Sequence, residues 1–373
     1  MDALTTPSNW QRVRLGDVGK PCMCKRVMKH QTTRYGEIPF YKIGTFGNTA
    51  DAFISKKLFL EYKTKYSFPK KGDILISASG TIGRAVIYDG KPAYFQDSNI
   101  VWIDNDETLV KNDFLFYAYS NVKWNTEHTT ILRLYNDNFR NTLIPLPPLN
   151  EQIAIANILS DLDRYLYSLD ALILKKESVK KALSFELLSQ RKRLKGFNQA
   201  WQRVRLGDIA NYLTSNLSAE QITQQGKIKV YDVNNFIGYT NTTFISDKPY
   251  ISIVKDGSVG RVRILPPKTN ILSTMGALIA NHKTTTEFLF YLLSNFDFKN
   301  FTSGSIIPHI YFKDYKEKTI FLPPLNEQIA IANILSDLDS EIISLKNKKR
   351  QFDNIKKALN HDLMSAKIRV LKE

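Results

Sequence analysis

The feature that most constrains this chain is an internal repeat. Eighteen residues, LPPLNEQIAIANILSDLD, occur at 146–163 and again, letter for letter, at 322–339. A second shared word, WQRVRLGD, begins at Trp10 and again at Trp201, and the sequences between the shared words barely match. The chain is therefore a tandem duplication in which constant segments bracket two divergent ones. This pattern predicts one common role for the brackets and two different roles for their contents.

Each copy of LPPLNEQ precedes a sequence with helical periodicity. The prolines predict an extended segment, Asn150 and Asn326 suit an N-cap, and the following Glu151 and Glu327 lie where the helix dipole favours a carboxylate. Apolar residues then recur at alternating spacings of three and four, which predicts helices of about 40 residues, or about 60 Å. The predicted stripes are Leu159, Leu162, Leu166, Leu169, Ile173, Leu183 and Leu187 in the first copy, and Leu335, Leu338, Ile342, Leu345, Phe352, Leu359 and Leu363 in the second.

Lysines interrupt these stripes, which indicates a helix pair whose apolar contact surface has a polar middle section, here called the polar waist. They are Lys176, Lys180, Lys349 and Lys356. Two such helices can bury their stripes against each other, and an antiparallel pairing would relate the halves by a pseudo-twofold axis. Residues 164–196 carry nine Lys or Arg against three acids, and residues 340–373 carry nine against four. This excess fits either a well-solvated helical surface or a rod that lies close to a DNA backbone or to a partner that itself holds DNA.

The divergent segments, 18–145 and 209–321, have the composition of strand-rich mixed domains. In each, a strand leads into a turn with two glycines, Ser79–Arg84 in the first and Gly257–Arg261 in the second, followed by another strand. Paired glycines allow unusual backbone conformations and close approach of a ligand, although a purely structural turn is the alternative. The candidates here for phosphate or base-edge contacts are Ser79, Thr81, Arg84, Lys255, Ser258 and Arg261.

A second pair of loops, 129–135 and 305–311, precedes the two long helices. The two loops occupy equivalent positions when the halves are aligned on their repeated prolines. Arg133 and His309 then occupy one position with different chemistry, as expected where two domains read different sequences. The candidates from these loops are Thr130, Arg133, Tyr135, Ser305, His309 and Tyr311. Amides that can pair with adenine, and one further basic residue, complete the predicted DNA-binding set: Gln96, Asn99, Asn234, Asn235 and Lys42. For each amide, an ordinary surface-loop role is the alternative.

Composition limits the classes of partner. The chain has 52 Lys and Arg against 36 Asp and Glu, a formal charge of +16, which favours nucleic acid or an acidic membrane surface. No apolar run approaches the roughly 20 residues that span a bilayer, so we expect a soluble, cytoplasmic protein. Cys22 and Cys24 are the two cysteines, too few for a disulfide scaffold or a four-ligand zinc site.

This arrangement resembles the specificity subunits of type I restriction-modification systems, in which two target-recognition domains are each followed by a PLPPLNEQ signature and a long helix. Pro145–Gln152 matches that signature, and the second copy has Phe321 in place of the first proline. The resemblance implies an α+β fold in which two globular, strand-rich target-recognition domains are separated by two long antiparallel helices. The domain bounds it implies are 1–149, 150–196, 197–325 and 326–373, the second and fourth being the conserved helical segments.

The resemblance also implies function and partners. Such a subunit is not an enzyme; it reads a bipartite, asymmetric double-stranded DNA site and joins two adenine-N6 methyltransferase subunits and an ATP-driven nuclease-translocase. S-adenosylmethionine, ATP and Mg²⁺ would belong to those partners, with no cofactor or metal in this chain. Partner docking is expected at the signature residues Pro147, Pro148, Asn150, Glu151, Gln152, Pro323, Pro324, Asn326, Glu327 and Gln328.

Three alternatives compete with this interpretation. An enzyme would need a catalytic motif, but the sequence contains no Asn-Pro-Pro-Tyr type of methylation motif, no phosphate-binding Gly-Lys-Ser/Thr loop, and no triad or metal spacing among its histidines. A helical adaptor would share the repeat but would need neither the positive charge nor two divergent domains. A stand-alone DNA-binding regulator would not need the repeated docking words.

Overall fold

The computed structural model describes residues 9–128 and 132–370, and these form two compact units. Unit 1 comprises the described residues up to Leu169 together with those from Lys348 onward; unit 2 is Asp170–Asn347. The division falls inside both long helices. Each unit therefore contains one strand-rich domain, the first half of the helix that follows that domain, and the second half of the other long helix.

Unit 1 contains eleven strands and the first long helix begins there. The strands are β1 Gln11–Arg14, β2 Gly19–Met23, β3 Ile38–Tyr41, β4 Phe53–Ile54, β5 Ile74–Ser77, β6 Ala85–Ile87, β7 Tyr94–Phe95, β8 Ile100–Asn105, β9 Glu127–His128, β10 Leu132–Arg133 and β11 Leu143–Leu146. The helices are α1 Leu15–Val18, α2 Lys56–Lys65, α3 Asn112–Tyr119, α4 Asn136–Asn141 and α5 Leu149–Leu188, with a 3₁₀ turn at Lys29–Gln31.

Unit 2 repeats this order. Its strands are β12 Gln202–Arg205, β13 Ala210–Thr214, β14 Ile228–Tyr231, β15 Phe236–Thr240, β16 Tyr250–Val254, β17 Val262–Leu265, β18 Thr269–Ile271, β19 Met275–Ala280, β20 Thr302–Ser303, β21 His309–Ile310 and β22 Thr319–Leu322. Its helices are α6 Thr286–Ser294, α7 Phe312–Tyr315 and the beginning of α8 Leu325–Met364, with 3₁₀ turns at Leu206–Asp208, Ala219–Gln221 and Lys299–Phe301.

The two strand-rich domains share one sheet topology despite their divergent sequences. Each has a four-stranded antiparallel sheet, ordered β2-β8-β5-β6 in the first and β13-β19-β16-β17 in the second. Each also has a three-stranded sheet with one parallel pair, β4-β3-β7 and β15-β14-β18. The central strands β5 and β16 are buried along their whole length, as expected of β-branched and leucine-rich runs. The duplication therefore extends to the fold of the divergent segments.

The repeated words that bracket each domain are adjacent in space. Strand β1 pairs antiparallel with β11, and β12 pairs in the same register with β22. The indole N–H of Trp10 donates to the Glu151 carboxylate at 2.9 Å, and that of Trp201 donates to Glu327 at 3.0 Å. The repeated segments thus hold the two ends of each domain against the first turn of the following helix, a contact that we call the clasp. This shared contact explains why the two segments recur together.

Helices α5 and α8 are each 40 residues long, as the periodicity predicts. The predicted N-cap position was wrong, because the Pro148 carbonyl already accepts the Gln152 N–H at 3.0 Å and the helix begins at Leu149. Asn150 lies inside the first turn, where its side-chain oxygen accepts the Glu151 N–H at 3.0 Å, and Asn326 is placed in the same way. The residues of the predicted stripes are buried or half-buried.

Within each unit the two helix segments run antiparallel, and ion pairs form the predicted polar waist. Lys356 contacts Asp163 in unit 1, while Lys180 lies 2.5 Å from Asp339 and Lys176 lies 2.8 Å from Glu341 in unit 2. Carboxylates on the opposite helix thus compensate the charge that each lysine brings into the stripe. The α+β fold class, with two strand-rich domains and two long helices, is confirmed.

Candidate nucleic-acid interface

In each domain the structure brings together two loops that lie about 50 residues apart in the sequence. Ser79, at the start of the first glycine turn, forms an isolated antiparallel bridge with Arg133 on β10. Asp256, just before the second glycine turn, forms the corresponding bridge with His309 on β21. The predicted turn and the predicted pre-helix loop therefore form one continuous surface in each domain.

All four glycines of the two turns have positive φ angles. The values are +66° and +82° at Gly80 and Gly83, and +82° and +81° at Gly257 and Gly260. A Cβ atom on Gly83 would lie 2.1 Å from the indole nitrogen of Trp124. The positive φ angles give all four glycines a structural role, and at Gly83 the indole contact also excludes a larger residue. This role is compatible with ligand contact by the polar side chains beside them.

In the first domain, three predicted DNA-binding residues form one hydrogen-bonded cluster. The Asn99 side-chain oxygen accepts the Ser79 hydroxyl at 2.8 Å and the Arg133 guanidinium at 3.1 Å. The exposed Arg84, at the other end of the same turn, donates instead to the Phe46 carbonyl at 3.0 Å. Mutual bonding holds the three clustered side chains in place and reduces the entropy cost of engaging a ligand.

The remaining first-domain candidates surround this cluster or lie apart from it. The side chain of Gln96, which directly follows β7, accepts the Ile43 N–H at 2.9 Å and so holds the 42–43 loop against that strand. This loop also lies beside the first glycine turn, since a Cβ on Gly80 would lie 3.7 Å from Ile43. Lys42 pairs with Asp51 at 2.8 Å. Thr81 and Tyr135 are exposed. Thr130 lies outside the described residues.

In the second domain the corresponding positions carry a different pair. The Asp256 carboxylate lies 2.6 Å from His309 Nδ1, and the imidazole stacks beside the exposed Tyr311 with ring centroids 6.5 Å apart. Exposed neighbours in the same loops are Ser258, Arg261 and Ser305, and Lys255 is half-buried. Asn234 and Asn235 are exposed in a separate loop, where their backbone N–H groups donate to Asp232.

The signature residues predicted for partner docking divide by burial. Glu151, Gln152, Glu327 and Gln328 are at most 2% exposed, and Pro147 and Pro323 are also buried. The Gln152 amide donates to two carbonyl oxygens at 2.8 and 3.0 Å, and Gln328 does the same at 2.8 and 3.0 Å. These side chains anchor the helix to its own domain. Exposed or half-exposed among the predicted set are Pro148, Asn150, Pro324 and Asn326.

Two apolar residues at the start of each long helix show the opposite pattern. Leu149 and Ile153 are 39% and 47% exposed, and Leu325 and Ile329 in the second copy are 45% and 49% exposed. In the first turns of each long helix, the Glu and Gln side chains are thus buried while one Leu and one Ile face solvent. A repeated exposed apolar pair on a helix start is typical of an interaction surface.

Sequence reasoning missed a repeated Tyr–Asp–Lys arrangement that joins each domain to both helices. In unit 2 the Tyr291 hydroxyl donates to Asp339 at 2.9 Å, and Lys180 lies on the same carboxylate and 5.8 Å from the tyrosine ring. Burial and the neighbouring carboxylate raise the pKa of Tyr291 well above its usual range. The equivalent group in unit 1 is Tyr117, Asp163 and Lys356. Two short repeated words, FLFY at 114–117 and 288–291 and KKAL at 180–183 and 356–359, were the available signal.

A pair of arginines was also missed. Arg369, from the tail after α8, donates to both carboxylate oxygens of Glu151 at 2.7 and 3.1 Å. Arg193, from the tail after α5, donates in the same way to Glu327 at 3.2 and 2.6 Å. Each long helix therefore ends by completing the clasp at the start of the helix that runs against it.

The described residues also bear on metal sites, membrane spans and reactive thiols. In residues 9–128 and 132–370, no three His, Cys, Asp or Glu side chains gather into a group that could hold a metal ion. Over the same residues, no helix is long and apolar enough to cross a membrane. Burial raises the pKa of the Cys24 thiol to about 12, which keeps it protonated and unreactive near neutral pH.

Known proteins resemble this chain over most of its length. The sequence pattern of the type I restriction modification DNA specificity domain matches residues 7–176 and again 198–352. A Haemophilus influenzae protein named as a type I restriction enzyme specificity subunit, S.HindORF215P, is 64% identical over 148 residues, which are 39% of this chain and 38% of that protein. The protein of Methanocaldococcus jannaschii named as the MjaX specificity subunit is 30% identical over 335 residues, covering 80% of this chain and 79% of the relative.

Solved structures share the fold. The crystal structure of the type I restriction-modification S subunit from M. genitalium superposes with a TM-score of 0.65 at 20% identity, covering 97% of each chain. A chain from a study of complex assembly in a type I system superposes with a TM-score of 0.57 at 16% identity, covering 96% of this chain and 98% of that one. At these identities the likeness concerns the arrangement of helices and strands alone.

Proposed function

This chain belongs to the family of type I restriction-modification specificity subunits, and from that premise we propose that it reads a split, asymmetric site in double-stranded DNA, one half-site for each strand-rich domain. One observation carries the proposal: the same two backbone positions hold Ser79 and Arg133 in one domain but Asp256 and His309 in the other. A repeated framework with different side chains at its polar surface suits two different base sequences. The formal charge of +16 supplies sequence-independent attraction to phosphates.

The chain itself acts by positioning and does not catalyse. Methyl transfer and cleavage belong to partner subunits, which bring S-adenosylmethionine, ATP and Mg²⁺, and base flipping takes place at the methyltransferase. For the first domain we assign to the DNA interface, beside the polar cluster, the predicted residues Lys42, Thr81, Arg84, Gln96 and Tyr135. For the second domain we assign Lys255, Ser258, Arg261, Ser305 and Tyr311, which lie in the same loops as Asp256 and His309, together with Asn234 and Asn235 from a separate loop.

Two methyltransferase subunits dock on the helix starts, and the contacts involve the exposed apolar positions of the signature. Leu149 and Ile153 offer one site, and Leu325 and Ile329 offer a second of the same composition. Because the two surfaces are alike in sequence, each accepts the same kind of partner, which gives two partner copies per chain. The buried Glu and Gln residues hold these surfaces in shape. The nuclease-translocase subunits complete the assembly.

The helices α5 and α8 set the spacing between half-sites. Their charge excess and length, 40 residues each, suit a rigid connection whose length is read as a DNA distance. Inserting a whole heptad into each helix, between 164 and 190 and at the equivalent positions of α8, should lengthen the spacer and leave both half-sites unchanged. A changed base preference with the original spacer would contradict this role.

Adenine methylation provides the direct test of DNA reading. Cells that express this chain with its neighbouring methyltransferase are sequenced by a single-molecule method that detects methylated adenine, with cells lacking only this chain as the control. We expect a split, asymmetric motif that appears only when the chain is present. If the two proteins form a stable, active complex without such a motif, the adaptor alternative is favoured instead.

Docking is tested by copurification. Replacing both Leu149 and Leu325 with Asp should abolish copurification of the methyltransferase, because a carboxylate at an apolar contact is strongly unfavourable while Asp is well tolerated in the first turn of a helix. Leu174→Asp is the matched control, since Leu174 is 64% exposed on α5 but lies outside the repeated segment. Equal loss of binding in the control would argue against this docking surface.

A further inference from the structure

We propose that three positions in each strand-rich domain form its base-reading centre, and that the two centres select bases of opposite hydrogen-bonding character. The first centre is Ser79, Asn99 and Arg133; the second is Asp256, Thr274 and His309, and we name these the first trio and the second trio. The inference rests on the proposed function and adds to it the kind of base that each domain reads.

The trios are equivalent because the backbone builds them in the same way. In both domains the residue before the first position donates its N–H to the carbonyl of the second position, at 2.7 Å in the first domain and 3.1 Å in the second. The carbonyl of that same residue accepts the N–H of the residue after the third position, at 2.8 and 2.9 Å. The first and third positions also form the isolated bridge in both domains. The two domains therefore present different hydrogen-bonding side chains at the same positions of a shared backbone framework.

The first trio presents hydrogen-bond donors. Asn99 Oδ1 is the acceptor for both the Ser79 hydroxyl and an Arg133 N–H, so the amide of Asn99 is oriented with its NH₂ group as a donor. The guanidinium carries five N–H donors and no acceptor, and the contact with Asn99 uses one of them. In the major groove only guanine offers two adjacent acceptors, O6 and N7, to which an arginine fork binds. The first trio thus reads guanine.

The second trio presents an acceptor. The Asp256 carboxylate can only accept, so His309 Nδ1 donates to its Oδ1 at 2.6 Å and holds the carboxylate in place. The second carboxylate oxygen, Asp256 Oδ2, keeps its lone pairs for a donor on a base. In the major groove the bases with an amino donor are adenine, through N6, and cytosine, through N4. The second trio thus reads an amino-bearing base and rejects guanine and thymine, whose major-groove edges present only acceptors.

The third position of each trio lies on a structure that suits the major groove. Arg133 is on the two-stranded ribbon β9–β10, and His309 is on the ribbon β20–β21. A two-stranded ribbon is one of the two elements that the major groove admits. In the second domain the tip of the ribbon projects into solvent, where Ile306 is 91% exposed, and the His309 side chain at its base is 36% exposed.

The experiment uses the full chain with its methyltransferase and the methylation motif as the readout. Arg133→Ala should relax one guanine position in one half-site by about 10- to 100-fold in discrimination, the range expected for loss of a bidentate base contact. His309→Ala should relax one adenine or cytosine position in the other half-site. The half-site of the unaltered domain should keep its full discrimination, which reports in the same sample that the protein is folded.

An exchange of chemistry gives a second and stricter test. Replacing the first trio with the second, as Ser79→Asp, Asn99→Thr and Arg133→His together, should change the guanine of that half-site to adenine or cytosine. Lys91→Ala and Lys248→Ala, which remove exposed lysines outside the trios in the first and second domains, are the controls and should leave the motif unchanged.

The outcomes separate this inference from the function on which it rests. Absence of any split motif with the unaltered chain would overturn the proposed function itself. A split motif with full discrimination retained in Arg133→Ala, or relaxation at a position other than guanine, would overturn the base-reading centre and leave the proposed function in place. Relaxation of the same half-site by both alanine variants would also overturn it.

Discussion

Replacing Glu327 with Ala should destabilise unit 2 by about 3 kcal/mol. The Glu327 side chain is fully buried and accepts one hydrogen bond from the Trp201 indole and two from Arg193, whose side chain is 27% exposed. Removing one partner of a buried ion pair costs roughly 3–5 kcal/mol, because the remaining charge is left without compensation. Water can reach part of the Arg193 guanidinium, so the lower end of that range applies. For a unit of this size, about 3 kcal/mol corresponds to a fall of about 6–12 °C in Tm.

Thermal unfolding measures this change, and hydrogen exchange shows whether the lost protection is confined to unit 2. Glu341→Ala is the matched control: it also removes the carboxylate of an ion pair, but both side chains are at least 30% exposed. Its cost should be below about 1 kcal/mol, as for surface pairs in general. A double-mutant cycle with Arg193→Ala should give a coupling energy above about 1 kcal/mol. A loss below about 1 kcal/mol in Glu327→Ala, or no coupling, would refute the proposed clasp.

Three further substitutions test the backbone, the domain junction and the buried thiol. Gly83→Ala should lower the free energy of unfolding by about 3 kcal/mol, because it adds positive-φ strain and displaces the Trp124 indole ring. The control Gly72→Ala, at φ +94° with open space around it, should lower it by about 1 kcal/mol in the same urea titration. Equal losses would contradict the ring contact. Tyr291→Phe removes a hydrogen bond to a carboxylate and should cost about 1.5 kcal/mol in thermal unfolding, while an unchanged Tm would argue against this junction. In the native protein Cys22 should react with iodoacetamide faster than Cys24, because burial raises the pKa of Cys24 to about 12. The Cys24 thiol ionises at lower pH in the unfolded chain, so its contribution to the free energy of unfolding is lost as the pH rises from about 9 to 12. Cys24→Ala should therefore reduce the loss of stability over this pH range in urea titrations. Equal labelling rates would contradict the burial.

Local signals predicted the elements well where each depends on nearby residues. The period of the apolar residues predicts both 40-residue helices, and the glycine pairs mark turns in which all four glycines have positive φ angles. Both depend on backbone geometry over a few residues, which composition and spacing report directly. The N-cap was misplaced because Pro148 supplies the first carbonyl of the helix, and a backbone acceptor leaves no trace in side-chain identity.

Roles that depend on distant partners were assigned less well. Glu151 and Gln152 have the composition of a solvent-facing motif, yet Glu151 is bonded to Trp10, 141 residues earlier, and to Arg369, 218 residues later. Glu151 is buried for that reason, whereas Leu149 and Ile153 on either side of it face solvent. Burial is set by what packs against a segment, and a segment's own pattern does not name its neighbours.

The sequence by itself determined the duplication, the two long helices and the division into constant and divergent segments, because these follow from repeats and periods that can be counted along the chain. The family was indicated by the resemblance of the PLPPLNEQ signature to that of known specificity subunits. Only the tertiary structure decided that Ser79, Asn99 and Arg133 form one cluster, and that Asp256 and His309 form its counterpart. Their contacts join loops that are far apart in sequence, and such contacts exist only once sheet register and packing have brought those loops together.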